Sequence, residues 1–227
     1  MKKILVITAH PDDEVLGCGG IIAKYARYKE IYTAILGEGI SSRYPQRGKA
    51  DKKEIVDLQK QSRKVEELLG VKETYFFGLP DNRFDTVSFL DIVKKIEEII
   101  EEIKPEIIYT HHSGDLNIDH RITFQSVLTA TRPGEDCSVK EIYSFEVPSS
   151  TEWTFQKIGN SFIPNVFEDI SDTIEIKLKA FKMYESEIRK YPHPRSPESL
   201  KIIAQRWGIV VGKEYVEPFE LIRRIVD

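Results

Sequence analysis

The sequence predicts an α/β protein with a Rossmann-like, doubly wound and mostly parallel sheet, helices on both faces, and a single domain over residues 1–227. Two observations lead to this prediction. Short apolar runs alternate with helical patterns over the first two thirds of the chain, and such alternation requires crossover connections between parallel strands. No linker, repeat or low-complexity segment divides the 227 residues, a length that suits one large domain.

Each predicted strand is a short apolar run that ends at a polar or glycine-bearing turn. The first run, Ile4 to Thr8, is apolar throughout, as expected for a strand that is covered on both faces. Runs of this kind predict strands over residues 4–8, 31–36, 74–77, 107–110 and 141–147, and a last strand over 215–225.

Between and after these strands, apolar residues recur at helical spacing. The clearest helix ends at residue 103: its apolar residues recur every three or four positions, Ser88 can cap its start and Pro105 lies just past its end. The pattern predicts helices over residues 14–29, 49–69, 88–103, 120–131, 174–188 and 196–207.

The composition excludes several classes of protein. Apolar residues make up 41% of the chain, enough for a core without disulfides, and the two cysteines, Cys18 and Cys137, form no CxxC motif. The 33 basic and 37 acidic side chains give a net charge of −4, which argues against a nucleic-acid partner. No apolar run approaches a membrane span, and polar residues follow the first strand too soon for a signal peptide. We expect a soluble, cytoplasmic protein.

Histidine and aspartate residues collect directly after the first and the fourth predicted strands. These segments read AHPDDE at 9–14 and HHSGDLNIDH at 111–120. In a sheet of order 3-2-1-4-5 the two strands are neighbours, and the loops at their carboxyl ends leave a crevice. Imidazole and carboxylate together suit a divalent cation such as zinc. We therefore expect His10 and Asp13 to bind one ion, with a third ligand from the second loop.

Two alternatives explain the first segment differently. Glycines at positions 17, 19 and 20 invite comparison with a dinucleotide-binding loop, but Ile22 stands where that fingerprint needs a glycine, and the carboxylates would repel a phosphate. The plainer alternative is a helix cap in which Asp12 or Asp13 accepts backbone N–H groups. Four of the five histidines would then have gathered at two strand ends by chance.

The AHPDDE segment and the Asp119-His120 pair resemble the zinc-dependent de-N-acetylases of the LmbE/PIG-L family. The resemblance extends to Arg63-x-x-Glu66, to Leu79-Pro80-Asp81 and to His193-Pro194-Arg195-Ser196, so it covers nearly the whole chain. It implies a Rossmann-like fold and hydrolysis of an acetamide from a sugar, commonly an N-acetylglucosamine unit.

The resemblance also implies roles by position. It implies that His10, Asp13 and His120 bind Zn²⁺, although this ligand set also accepts another divalent metal such as Fe²⁺. It implies that Asp12 is the general base, taking a proton from water and passing it to the leaving amine. Asp119 is expected to orient a ligand or the base from behind.

One position departs from the family. Asn117 stands where many members have a histidine that stabilises the oxyanion, and its amide can donate a hydrogen bond but cannot act as a cation or an acid. His193 is the alternative electrophile. Related oligomeric enzymes take such a histidine from a neighbouring subunit, so a homo-oligomer is an implied partner; the other interpretation of His193 is a rigid Pro-His-Pro corner. His111 and His112 are interpreted as surface or structural residues.

Four further residues are candidates for substrate binding. Arg63, Asp81 and Asn82 resemble the positions that hold sugar hydroxyls in related enzymes, and Arg43 lies in a polar loop that could face the substrate. Arg63 is equally well an exposed helical arginine, and Arg43 a solvated loop charge. Arg195 either pairs with a substrate phosphate or caps the proline corner.

These observations predict a metal-dependent hydrolase that removes acetyl from a small-molecule N-acetylated sugar or sugar conjugate. Two alternatives remain: an amidase that acts on another small amide conjugate, and a non-catalytic protein that binds metal or carbohydrate. The presence of Asp12 favours an enzyme, because a protein that only binds metal has no use for an unliganded carboxylate beside the ion.

Overall fold

The computed structural model describes residues 2–134, 137–155 and 161–226. Within these residues, one sheet of seven strands has the order β3-β2-β1-β4-β5-β7-β6. The strands are β1 (Lys3–Thr8), β2 (Glu30–Gly37), β3 (Glu73–Leu79), β4 (Ile107–His111), β5 (Glu141–Phe145), β6 (Val166–Asp169) and β7 (Val216–Arg224).

The first five strands are parallel, and the last two are not. β1 pairs with β2 and β4, β2 pairs with β3, and β4 pairs with β5, which confirms the predicted order 3-2-1-4-5. β7 runs antiparallel to β5, and β6 runs antiparallel to β7. β6 was not predicted, because all four of its side chains are only partly covered and its sequence, VFED, shows no apolar run.

Helices cover both faces of the sheet, as predicted. They are α1 (Asp13–Tyr25), α2 (Lys52–Leu69), α3 (Phe89–Ile103), α4 (Ile118–Ala130), α5 (Ile174–Lys182) and α6 (Pro197–Val211). Alternate residues of β1 enter two different cores: Ile4 and Val6 pack with α1, α2, α5 and α6, whereas Leu5 and Ile7 pack with α3 and α4. The α/β, doubly wound fold is therefore confirmed. Among the described residues, no helix is both long and apolar enough to span a membrane.

Two helices are shorter than the apolar spacing predicts. The helix predicted over 14–29 ends at Tyr25, and the one predicted over 174–188 ends at Lys182. Beyond Lys182, Tyr184 is fully buried and Ile188 packs against the same core from turns. The apolar pattern therefore continues past the end of the helix because these turns also face the core.

The glycines at the start of α1 serve packing. A Cβ at Gly17 would lie 2.2 Å from the ring of Phe145, and one at Gly20 would lie 2.7 Å from Ile170. These glycines let α1 approach the sheet and the segment before α5 closely. Their presence is explained without a dinucleotide.

Candidate metal centre and active site

The turn between β1 and α1 carries His10, Asp12 and Asp13. The backbone N–H of His10 donates to Asp13 Oδ2 over 2.9 Å. Asp12 has a φ of 101°, a region that residues with a side chain rarely adopt. Its N–H donates to Oε2 of the buried Glu14 over 3.0 Å, which helps to hold this backbone. Strained backbone of this kind is concentrated at functional sites.

Asp13 lies between two histidines that come from different elements. Its Oδ2 is 3.4 Å from His10 Nδ1 and 3.3 Å from Nε2 of His120, which lies in the first turn of α4. Two ligands of one tetrahedral zinc are separated by about 3.3 Å, so these spacings suit a shared ion. Asp13 Oδ1 and His120 Nε2 are buried and have no hydrogen-bond partner among the described residues. Such atoms are costly unless something binds them, and a divalent cation would do so.

A carboxylate lies behind each of the two histidines. Asp119 Oδ2 is 3.0 Å from His10 Nε2, and Asp115 Oδ1 is 3.1 Å from His120 Nδ1. A carboxylate in each of these positions is suited to orient its ring, with Nδ1 of His10 and Nε2 of His120 left for a metal. The carboxylates are themselves held by four hydrogen-bond donors, namely Phe84 N–H, Asn117 N–H, Ser150 Oγ–H and Thr151 Oγ1–H.

His10 also belongs to a second group of potential ligands, with Asp81 and Asp119. There, His10 Nε2 is 3.2 Å from Asp81 Oδ1 and 3.0 Å from Asp119 Oδ2. One proton on His10 Nε2 lies between these two carboxylate oxygens and serves as their hydrogen-bond donor, so no metal ion is needed there. The His10, Asp13 and His120 group retains buried atoms without a partner among the described residues, which makes it the stronger candidate for a metal.

The electrostatics of the group favour a cation. Burial lowers the pKa of each histidine, but the neighbouring carboxylates prevail, so that the pKa of His10 lies well above its usual value and that of His120 rises to about 9. Burial raises the pKa of Asp13, but His120 and His10 hold it well below its usual range. Protons and a metal ion therefore compete for the same atoms.

His111 and His112 are both buried, so they are structural and not surface residues. The N–H of Ala9 donates to His111 Nε2 over 2.8 Å, and the ring stacks on that of His120 with centroids 3.9 Å apart. His112 Nδ1 lies 2.8 Å from Glu220 Oε2. Burial, with His120 beside it, lowers the pKa of His111 well below its usual value. The neutral His111 ring supports His120 from the side.

The carboxylate of Asp12 is buried and points to a guanidinium. Arg195 Nη1 donates to Asp12 Oδ2 over 3.0 Å. Burial raises the pKa of Asp12 well above its usual value, and the charge of Arg195 opposes that shift.

A polar cavity of about 180 Å³ opens beside this pair. It brings together most of the residues predicted from the sequence, namely His10, Asp12, Arg43, Asp81, Asn82 and Asn117. The loops that follow β1, β2, β3 and β4 supply one side, and the connection between α5 and α6 supplies Glu187, Arg189 and Arg195.

Five predicted residues do not line this cavity: the buried Asp13, Asp119 and His120, and also Arg63 and His193. Arg63 lies on the exposed side of α2, with its guanidinium 4.9 Å from the centre of the Phe76 ring. α2 turns Ser62, Val65 and Glu66 toward the core, which directs Arg63 outward. The structure thus places Arg63 on the exposed face of α2, outside the cavity.

His193 also stands apart from the cavity. Its Nδ1 accepts the N–H of Arg195 over 3.1 Å, and its ring meets that of Trp153 edge to face at 5.8 Å. His193 thus contacts the backbone of Arg195, and its side chain does not line the cavity of its own chain.

Asn117 is engaged at both ends of its amide. Its Oδ1 accepts the N–H of Asp119 over 2.8 Å and caps α4, while its Nδ2 donates to Asn82 Oδ1 over 2.9 Å. Asn117 therefore begins the helix that carries Asp119 and His120. One amide hydrogen remains available to a ligand in the cavity.

Sequence reasoning missed Asp115 and Glu187. Asp115 was open to prediction, since a metal-binding histidine almost always donates its other N–H to a carboxylate or carbonyl, and Asp115 lies in the same loop as His120. No local signal pointed to Glu187, because its contact with the cavity depends on how the chain returns after α5.

The comparisons agree with this geometry. A family model described as PIG-L, GlcNAc-PI de-N-acetylase, matches residues 5–131. YaiS of Escherichia coli (strain K12), described as an uncharacterized deacetylase, is 32% identical over 191 residues, which cover 82% of this chain and 91% of YaiS. The diacetylchitobiose deacetylase of Thermococcus kodakarensis is 26% identical, over 98% of this chain and 84% of that protein.

A solved structure of a hydratase is also similar in fold to this chain. The crystal structure of GalB, the 4-carboxy-2-hydroxymuconate hydratase of Pseudomonas putida KT2440, has a TM-score of 0.77 and 22% identity, and the match covers 100% of this chain and 98% of GalB. At this identity the likeness concerns the fold alone.

The family model spans more than half of the chain, and together with the identity to YaiS it shows that the chain belongs to the PIG-L family.

Proposed function

We propose that this protein is a Zn²⁺-dependent N-deacetylase that hydrolyses the acetamide of an N-acetylated sugar or sugar conjugate. One observation carries the proposal: the buried Asp12 carboxylate adjoins the His10, Asp13 and His120 group without belonging to it, and Asp12 lines the polar cavity that His10 also lines. A carboxylate in that position suits a general base. The two relatives described as deacetylases support this class of reaction.

His10 Nδ1, Asp13 and His120 Nε2 would hold the ion, and the unpartnered atoms of Asp13 and His120 fit a cation. Zn²⁺ bound there supplies Lewis acidity at the amide carbonyl and lowers the pKa of water. Asp12 takes the proton of the attacking water and returns it to the leaving nitrogen. Asp119 and Asp115 keep the two imidazoles in the orientation and tautomer that binding requires.

The walls of the cavity suit a substrate rich in hydroxyl groups. Asp81 Oδ2 accepts from both the N–H and the hydroxyl of Ser42, and Asn82 links Asp81 to Asn117. These groups form a fixed row of donors and acceptors, and Arg43 adds a charge beside it. Fixed polar groups of this kind confer orientation on a small ligand.

The first experiment measures release of acetate and of primary amine from N-acetylglucosamine, N,N′-diacetylchitobiose and a nucleotide-linked N-acetylglucosamine. Metal content is determined on the same samples, with Zn²⁺ and Fe²⁺ each tested after chelation. We expect turnover that requires close to one metal ion per chain. Asp12→Asn should keep the metal and lose turnover by about 10²- to 10⁴-fold, the usual contribution of a general base.

Three outcomes would contradict the proposal. A metal-loaded protein that hydrolyses only other small N-acyl conjugates is an amidase of a different class. Hydration of an unsaturated carboxylic acid, with no amine release from any sugar, would assign it to the reaction for which GalB is described. Sugar binding without any turnover would identify a binding protein.

A further inference from the structure

Asp12 has one side-chain hydrogen bond among the described residues, and its partner is a guanidinium. Asp12 is 2% exposed, and Arg195 Nη1 donates to its Oδ2 over 3.0 Å. The contact joins positions 183 residues apart in the chain. A guanidinium presents several N–H groups in one plane, so it fixes the orientation of a carboxylate as well as neutralising it.

Asp12 needs such a partner, because three consecutive acidic side chains are buried here. Asp12, Asp13 and Glu14 are all at most 2% exposed. Asp13 contacts the two histidines, and Glu14 accepts from the hydroxyl of Tyr184 over 2.5 Å and from the N–H of Asp12. Without Arg195, the Asp12 carboxylate would be buried next to two other acids with no cation in contact.

Arg195 is in turn held by the C-terminal connection, residues 183–196. Its Nη1 lies 3.5 Å from Oε2 of the buried Glu187, and Oε1 of Glu187 contacts Arg43 Nη2. The N–H of Arg195 donates to His193, and its carbonyl accepts from the N–H of Arg189. Both the side chain and the backbone of Arg195 are therefore fixed.

Other cations of the cavity do not perform this task. Arg43 pairs with Glu187, and Arg189 Nη1 donates to the carbonyls of Ser186 and Ile188. Asn117 cannot be charged and is engaged as the cap of α4. Among the described residues that line the cavity, Arg195 is thus the arginine in contact with Asp12.

We propose that Arg195 is a positioning residue that orients the general base Asp12, and that Glu187 anchors Arg195 for this purpose. This inference rests on the proposed function. It assigns to the C-terminal connection a part in the reaction itself, in addition to forming a wall of the cavity.

The test compares Arg195→Ala, Arg195→Lys and Glu187→Gln with the wild-type protein. We expect Arg195→Ala to lower kcat by roughly 10²-fold, the cost of misplacing a catalytic group by about 1 Å, with KM changed less than about threefold and metal content unchanged. Arg195→Lys keeps the charge but loses the planar arrangement of N–H groups, so its kcat should lie between those of the wild type and Arg195→Ala. Added guanidinium chloride should restore part of the kcat of Arg195→Ala and none of that of Asp12→Asn.

Arg206→Ala is the matched control, since this arginine lies on α6, with its guanidinium 4.3 Å from the Trp207 ring. It should leave kcat within about twofold, as is usual for a surface substitution. If Arg195→Ala does not fold, Arg195→Lys and Glu187→Gln are compared with the wild-type protein instead. Both are expected to have a lower kcat.

A crystal structure of Arg195→Ala gives a readout that does not depend on turnover, with the Asp12 side chain expected to rotate away from its present position. If Asp12 rotates in the variant and the wild-type protein is inactive on every sugar, the positioning role is upheld and the proposed function is overturned. An unmoved Asp12 with kcat within threefold of wild type would overturn the positioning role alone. A loss confined to KM would make Arg195 a substrate-binding residue and would also overturn it.

Discussion

Two clusters of buried charge touch α1, and they differ in whether their hydrogen bonds are complete. Glu217 accepts from the N–H groups of Gly20 and Ile21 over 2.8 Å each and from Lys177 Nζ over 2.6 Å. Lys177 also donates to the carbonyl of Leu16. At the N-terminal end of α1, by contrast, the group around Asp13 retains buried atoms without a partner.

The contrast indicates a structural role for the Lys177 and Glu217 cluster and a ligand-binding role for the group around Asp13. A buried ion pair whose donors and acceptors are matched joins elements, here α1, α5 and β7, and has nothing left to offer a ligand. Buried acceptor atoms without a hydrogen-bond partner cost free energy, and a bound cation would remove that cost. Four predictions test the contrast, in order of decreasing effect.

The largest effect is expected at the incomplete cluster. His120→Ala removes one of the three converging ligand atoms, so bound metal should fall from close to one ion per chain to near zero. Turnover should fall by about 10³-fold or more, because the loss of a Lewis acid costs several kcal/mol of barrier. Metal analysis and steady-state kinetics check this. A variant that keeps stoichiometric metal and turnover would place the ion elsewhere.

At the complete cluster, a substitution should change stability and not chemistry. Lys177→Met leaves Glu217 buried without its cation, which typically costs about 3–5 kcal/mol in the free energy of unfolding. Urea denaturation measures the loss, and kcat per folded molecule should stay within about twofold. The double variant Lys177→Met/Glu217→Gln should recover most of the loss. Unchanged stability of the single variant would show that the ion pair is not needed.

A smaller effect is expected for the carboxylate behind His120. Asp115→Asn weakens the hold on the imidazole, so the affinity for metal should fall by about 10- to 100-fold, the usual range for such partners. Competition with a chelator of known affinity measures the change. Asp57→Asn, at an exposed carboxylate on α2, is the control and should leave the affinity unaltered. An equal loss in both variants would point to a non-specific effect of charge.

The smallest effect is a pH dependence of the metal-free protein. The pKa of His120 is raised to about 9 in the folded state, against about 6.5 when unfolded. The stability that its protonated form confers is complete below pH 6.5 and is lost as the pH rises through 9. The melting temperature of the chelated protein should therefore fall between pH 7.5 and 9, while that of the Zn²⁺-loaded protein falls less. Parallel curves would show that His120 does not titrate there.

The sequence was sufficient for the parts that depend on local pattern. The alternation of strands and helices predicted the parallel sheet, and the ends of β1 and β4 predicted that the loop of His10 and Asp13 meets the loop that contains His120. The choice of His120 within that loop came from the resemblance to the LmbE/PIG-L family.

What could not be predicted depends on the phase of a helix or on distant parts of the chain. Arg63 belongs to a motif in the sequence, but the rotation of α2 turns it outward. β6 lacks an apolar run, and its place is set by pairing with β7. The sequence left Arg195 between two roles because Asp12, its partner, lies 183 positions away.

The contact between Asp12 and Arg195 also sets an order of events during synthesis. A nascent chain that has emerged as far as His120 already holds the three side chains proposed to bind the metal, but the guanidinium of Arg195 follows 75 positions later. At ribosomal rates that interval lasts roughly 4–15 s. The residue proposed to orient the general base is therefore among the last parts of the site to be synthesised.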